Sequence, residues 1–135
     1  MPSEACGKEA EAHYDVGICY AWLGKKDSAE VIFQQVINTY PDNMEVVAYS
    51  RYGLSWVDVQ RGKFQPAIER LQQLLDQKIY SDKEFCARVQ FEIGRIYLVF
   101  LHQAEQAEQA FRKVLENYPD AEVANHPFLA KLKGN

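Results

Sequence analysis

The sequence has few cysteines and no long apolar segment. Its three cysteines, Cys6, Cys19 and Cys86, are odd in number and show no CxxC spacing, which argues against a disulfide framework and a zinc site. The longest apolar run, residues 96–101, is too short to cross a bilayer, and the first residues lack the pattern of a secretory signal. We therefore expect no membrane insertion and a cytoplasmic location, or a periplasmic one if the chain is a fragment of an exported protein.

An excess of positive charge is also missing. The chain has 15 lysines and arginines against 19 acidic residues, so its formal net charge is -4 at pH 7. A protein that binds phosphate backbones needs a basic field. The charge balance therefore disfavours nucleic acid as a partner.

Groups that carry catalytic or metal chemistry are sparse. No glycine-rich phosphate loop is present, and His13, His102 and His126 lack the spacing of metal ligands. Cys86 and His102 fall on one predicted helix, roughly 24 Å apart along its axis, which is too far for a nucleophile and its base. The sequence predicts a protein that is not an enzyme, with no catalytic residue, metal site or cofactor.

Small residues return in pairs along the chain. Three pairs occur: Gly17 with Ala29, Gly53 with Ala67, and Gly94 with Ala107. An aromatic residue follows each glycine by three positions, and Phe33, Leu71 or Phe111 follows each alanine by four. Paired small residues at this spacing let two helices pack closely. The pattern predicts a stack of helical hairpins, an architecture that usually binds other proteins.

Apolar residues recur at helical spacing, and no segment alternates as a half-buried strand would, so we predict an all-α fold. Pro41 and Pro119, each preceded by a tyrosine, end two helices because proline cannot donate the next backbone hydrogen bond. The predicted helices span about residues 8–23, 26–39, 43–60, 63–78, 82–101 and 104–117, with a short seventh within 121–132.

Two segments fit a helix-starting capping box: Asp42 with Glu45, and Ser81 with Glu84. They place helix starts near residues 43 and 82. On the first predicted helix, Cys19 is expected to lie on the buried side as a small apolar filler.

Three in-phase copies of one motif resemble the tetratricopeptide repeat family, whose unit reads W-x2-L-G-x2-Y, then A-x3-F, then P. The copies supply Val16-Gly17-x2-Tyr20, Ala29-x3-Phe33 and Pro41; then Tyr52-Gly53-x2-Trp56 and Ala67-x3-Leu71; then Ile93-Gly94-x2-Tyr97, Ala107-x3-Phe111 and Pro119. The leading tryptophan is replaced by His13, Tyr49 and Gln90, and the second copy lacks the proline.

The resemblance implies a single domain over residues 1–135, built as a right-handed α-solenoid of three helix-turn-helix hairpins. The repeats span about 10–43, 46–80 and 87–120, and residues 121–135 supply a short helix that caps the last hairpin. The Tyr-Pro-Asp endings at residues 40–42 and 118–120 also resemble those of bacterial envelope members of the family. The alternative is that such endings are common in bacterial members generally.

In this family the first helix of each hairpin lines a concave groove that holds part of a partner protein. Carrying the groove positions over residue by residue gives Tyr14, Ile18, Trp22, Arg51, Leu54, Arg88, Phe91, Arg95 and Leu98, with Glu11, Ala21, Val47, Ser50, Val57, Asp58 and Val99 at the remaining places. The large apolar members predict an apolar or amphipathic ligand. For Ile18, Leu54 and Leu98 the alternative is packing of the core between repeats.

Three arginines of this set could act together. Arg88 and Arg95 lie two turns apart on one predicted helix, and with Arg51 they could receive a carboxylate from a partner. The alternative is an intrahelical ladder of charges that runs through Glu84, Arg88, Glu92 and Arg95.

The predicted function is a non-catalytic scaffold that binds a peptide or helix of a partner protein in the groove. A first alternative is a structural module that assembles with copies of itself, through the groove or through Phe128 and Leu132 of the C-terminal segment. A second is an RNA-binding helical-repeat protein of the pentatricopeptide type, which the acidic charge disfavours.

Overall fold

A computed structural model describes the backbone of residues 2–133 and the side chains from Gly7 onward. Within that range the chain forms seven α-helices and one 3-10 helix and no strand, so the predicted all-α class is confirmed. The helices are α1 (Pro2–Trp22), α2 (Lys26–Thr39), α3 (Met44–Gln60), α4 (Phe64–Asp76), α5 (Lys83–Val99), α6 (Ala104–Asn117), the 3-10 helix (Glu122–Asn125) and α7 (Pro127–Ala130).

The chain divides into two compact units, Met1–Arg70 and Leu71–Asn135, with the boundary inside α4. Unit 1 holds the hairpin of α1 and α2 together with α3. Unit 2 holds the hairpin of α5 and α6 and the C-terminal segment. The division of the chain into one domain of three repeats stays a prediction.

The core of unit 1 surrounds Phe33 on α2. This side chain is fully buried, and α2 packs against both α1 and α3. A Cβ atom added to Gly17 of α1 or to Gly53 of α3 would lie 2.7 or 2.6 Å from ring atoms of Phe33. Glycine suits both positions because the ring of Phe33 occupies the space that a side chain would need. The surrounding cluster contains Ala21, Ala29, Leu54 and Val57.

The core of unit 2 repeats this arrangement around Phe111 on α6. A Cβ atom on Gly94 of α5 would overlap the Phe111 ring. The 3-10 helix and α7 pack against this hairpin, and they bury Ala124 and Leu129 completely beside Phe111 and other apolar residues. The C-terminal segment therefore covers apolar surface of α5 and α6, as the sequence predicts.

The hairpin turns that follow α1 and α3 have the same geometry. Gly24 and Gly62 both adopt a φ of 76°, in the left-handed region that glycine enters without a steric penalty. The amide of Lys25 donates to the carbonyl of Tyr20 at 2.9 Å, which closes the helix end in the manner of a Schellman motif. The corresponding turn after α5 has His102 in this conformation, with a φ of 55°.

Because a side chain disfavours this backbone conformation, His102→Gly is expected to stabilise the protein by about 0.5 to 1 kcal/mol. The measurement is the free energy of unfolding in urea. Gly24→Ala serves as the opposite substitution at an equivalent turn and is expected to destabilise by a similar amount. A stability loss on His102→Gly would mean that the imidazole makes a favourable contact that outweighs the strain.

Both predicted capping boxes are wrong by one residue. The N-cap of α3 is Asn43, whose side chain accepts from the amide of Val46 at 3.1 Å. The N-cap of α5 is Asp82, which accepts from the amide of Phe85 at 3.0 Å. These two residues have the extended backbone that a cap requires, so the glutamates fall one position too early to complete a box.

Three helix limits also differ from the prediction. Helix α1 begins at Pro2 rather than near residue 8, and a proline fits the first position of a helix because its missing N–H would have no partner within the helix there. Helix α4 ends at Asp76, shortly before Lys78 takes a φ of 50°. Helix α5 ends at Val99, since the turn around His102 starts earlier than expected.

Candidate functional site

Three predicted groove residues form a row along α1, here called the α1 ridge: Tyr14, Ile18 and Trp22. They are spaced four residues apart and therefore lie on one face of the helix. Tyr14 and Ile18 are half-buried and pack against the core cluster around Phe33. Trp22, in the last turn of the helix, is 87% exposed. The ridge thus runs from an anchored tyrosine to a tryptophan in solvent.

Neighbouring helices fix the anchored end of the ridge. The centroid of the Tyr14 ring lies 5.8 Å from that of Phe33 on α2 and 6.0 Å from that of Tyr49 on α3. Contacts of this kind hold an aromatic ring in one orientation. Glu11 and Asp15, both exposed on α1, give the border of the ridge a negative charge.

Helix α3 offers little of its predicted groove face to solvent. Leu54 is only 4% exposed within the core of unit 1, and Val57 is fully buried there. The structure therefore supports the packing alternative for Leu54, which we remove from the candidate binding surface. Asp58 is 8% exposed, and its Oδ2 accepts from Nε of Arg70 at 3.1 Å, so that carboxylate already has a partner. Arg51 is half-buried.

The C-terminal segment covers the main predicted groove residue of α5. Phe91 is 7% exposed, and its ring centroid lies 4.6 Å from that of His126 and 5.5 Å from that of Phe111. Leu98, half-buried, packs against the same cluster. We therefore remove Phe91 from the candidate binding surface, because a partner could reach its ring only after displacing the C-terminal segment.

Phe128 and Leu132, predicted as contacts between copies of the chain, also contribute to this cluster. The Phe128 ring is stacked on Phe91 at a centroid distance of 6.2 Å, although Phe128 remains 40% exposed. Leu132 packs against the Phe111 cluster. Both side chains thus have partners within their own chain.

The charge ladder predicted along α5 forms in part. Nε of Arg95 donates to Glu92 at 3.0 Å, and its guanidinium lies 5.7 Å from the centroid of the Phe100 ring. The carboxylate of Glu84 instead accepts from the first amide of the 3-10 helix at 2.9 Å. Arg88 is exposed. Of the three arginines, Arg95 is therefore held by its own helix.

The cysteines differ in environment. Cys19 is exposed, so its prediction as a buried filler is wrong. Cys86 is half-buried, and its thiol donates to the carbonyl of Tyr80 at 3.4 Å. Burial raises the pKa of the Cys86 thiol, against the opposing effect of a hydrogen bond with Tyr118. The side chain of Cys6 lies outside the described residues.

The part of the chain that the structure describes offers neither a cluster of metal ligands nor a helix able to span a membrane. No group of three or more histidine, cysteine or acidic side chains is gathered there that could hold a metal ion. None of the helices found there has both the length and the apolar character needed to cross a membrane.

Comparison with protein families identifies two of the hairpins. A model described as "Tetratricopeptide repeat" matches residues 11–43 and 88–121, which cover most of the α1–α2 and α5–α6 hairpins. The chain belongs to the tetratricopeptide repeat family. The middle repeat lies outside the matched residues, and it is the copy that lacks the proline and has Leu71 in place of phenylalanine.

A solved structure supports the fold of this tetratricopeptide repeat protein. TPR-like repeats of a Podosopora anserina protein, described as a kinesin light chain, align with a TM-score of 0.66 and 18% sequence identity. The alignment covers 90% of this chain but 60% of the other. At this identity the likeness shows the fold alone, which is of the α-solenoid class. A search of curated proteins gave no match.

Proposed function

We propose that this tetratricopeptide repeat protein is a non-catalytic scaffold that binds a peptide or helix of a partner protein on the α1 ridge. The observation that supports it most is the 87% exposure of Trp22 at the end of that ridge. An exposed tryptophan contributes a large apolar area on contact and loses little conformational entropy. Ile18 and Tyr14 extend this area toward the core, on side chains that are already ordered.

The surroundings of the ridge suggest which segment would fit. An apolar side chain of the partner would pack between Trp22 and Ile18. Basic side chains of the partner would lie near Glu11 and Asp15, which are exposed on the same helix. Such a ligand is an amphipathic helix or peptide with a basic margin, one of the recurrent forms of peptide recognition. Recruitment of a carboxylate by Arg51 or Arg88 stays a prediction.

Photo-crosslinking tests this proposal. p-Benzoylphenylalanine is placed at position 22, or at position 31 as a control, and cells that contain the natural partner are irradiated. Val31 is a suitable control because it is 53% exposed and lies on α2. We expect a discrete protein adduct from position 22 that position 31 does not give. The proposal fails if position 22 gives no adduct, or if both positions give the same ones.

A further inference from the structure

Four side chains lie along one line on the surface of α1, here called the α1 stripe: Glu11, Asp15, Ile18 and Trp22. Their successive spacings of four, three and four residues keep them on one face of the helix. Glu11, Asp15 and Trp22 are exposed, and Ile18 is half-buried. The stripe therefore joins two carboxylates to two members of the α1 ridge.

The first half of the stripe is acidic and the second half is apolar. Glu11 and Asp15 lie one turn apart, and like charges at that spacing repel each other. Among the described residues, neither carboxylate has an ion-pair or hydrogen-bond partner. Lys8 is exposed one turn before Glu11, at the outer end of this half. Basic groups supplied by a partner would therefore relieve the repulsion between the two carboxylates.

We propose, on the basis of the function proposed above, that the partner segment is an α-helix with an apolar half and a basic half. Two apolar side chains of that helix pack on Ile18 and Trp22, and two basic side chains meet Glu11 and Asp15. Counted from Trp22, Asp15 is seven residues away and Glu11 is eleven. Helices that pack side by side have the same rise per residue, so the partner's basic residues lie at these distances from its outermost apolar residue.

The length of the stripe is the reason to choose a helix over an extended segment. Trp22 and Glu11 are separated by a rise of about 16 Å along the helix axis. An extended segment covers that distance in about five residues, of which about three face the same side. A helix that crosses α1 at a shallow angle presents one side chain to each of the four members of the stripe.

Synthetic helical peptides provide the first test. One peptide carries two leucines to match the apolar half and two lysines at the spacings of the carboxylates, and it is made in both sequence directions. A second peptide has glutamates in place of the lysines. By fluorescence anisotropy at low salt, we expect the lysine peptide in one direction to bind about ten-fold more tightly than its glutamate counterpart, with a smaller difference at high salt. Equal binding of the two peptides, or no binding of either, overturns the proposal.

Charge reversal on the protein gives the second test. Glu11→Lys combined with Asp15→Lys should invert the preference, so that the glutamate peptide binds more tightly. Asp15→Lys alone should remove most of the preference. Glu9→Lys is the matched control, because Glu9 is exposed on α1 but lies about 200° around the axis from Glu11. A preference that the double reversal leaves unchanged, or that Glu9→Lys also removes, contradicts recognition by the stripe.

Crosslinking at position 22 separates this inference from the proposed function. An adduct from position 22, together with equal binding of the lysine and glutamate peptides, would support binding on the α1 ridge and refute the basic half of the partner. If the adduct and the preference for lysine are both missing, both proposals fail.

Discussion

Replacing Gly53 by alanine is expected to lower the free energy of unfolding by about 3 kcal/mol, the upper range for overpacking a core. An alanine in a helix is ordinarily favoured over glycine by about 1 kcal/mol, so the substitution would stabilise the protein if nothing stood beside it. Here the added Cβ would meet ring atoms of Phe33 at 2.6 Å. Steric overlap therefore reverses the usual sign.

The ring of Phe33 cannot move aside to relieve that overlap. It is fully buried, and the backbone of Gly17 approaches it as well, where an added Cβ would lie 2.7 Å away. A shift of the ring away from α3 is a shift toward a close contact with α1. The strain must be relieved by separating helices, which loses contacts throughout the cluster.

The control for this prediction is Gly7→Ala in α1, where an added Cβ would have no atom within 4 Å. It should leave stability unchanged or raise it slightly in urea denaturation followed by circular dichroism. In a Phe33→Leu background, the cost of Gly53→Ala should shrink, because the smaller side chain leaves room. Equal costs of Gly53→Ala in the two backgrounds would refute the packing explanation.

The second large effect is expected from Phe91→Ala, which should lower the free energy of unfolding by about 3 kcal/mol, as truncation of a buried phenylalanine does. The lost ring supports both Phe111 and the C-terminal segment through His126. We therefore expect faster amide hydrogen exchange in residues 122–130, where that segment packs.

Phe128→Ala is the matched control for this result. Phe128 stacks on the same ring but is 40% exposed, so its truncation should cost less than half as much. If Phe91→Ala left both stability and hydrogen exchange unchanged, the ring would not be an element of the core. The interpretation of Phe91 as a free groove residue would then be restored.

Local patterns in the sequence predict much of the fold. In the repeat motif a glycine lies within one helix, and a phenylalanine follows an alanine by four residues on the next helix. These two residues mark the close contact seen between Gly17 and Phe33. Gly24 and Gly62 mark hairpin turns because few other residues adopt their conformation. The turn at His102 shows the limit of this signal, since a residue with a side chain there adopts the left-handed conformation that glycine adopts in the other two turns.

The candidate site was harder to predict, because exposure depends on contacts that are distant in sequence. Phe91 and Trp22 both occupy groove positions of the motif, yet one is covered by the C-terminal segment and the other is almost fully exposed. Cys19 looks like a core residue by composition, but no described element packs over its face of α1. The sequence shows that the C-terminal segment is apolar, but it does not show which residue that segment covers.

Leu23, the residue after Trp22, supplies a matched control for the ridge. It is 69% exposed, but it lies in the turn that follows α1 and is not part of the ridge. Variants at the two positions therefore separate binding at the ridge from a general effect of removing an exposed apolar side chain.

The affinity of a crosslinked partner for two variants tests the proposed function most directly. Once that partner is identified, its dissociation constant is measured by calorimetry for the unaltered protein, Trp22→Ala and Leu23→Ala, with the helical circular dichroism of each recorded. We expect Trp22→Ala to weaken binding by about 30-fold or more, as loss of a binding hot spot does, without loss of helix, and Leu23→Ala to bind normally. Equal affinities for all three proteins would contradict binding at the α1 ridge.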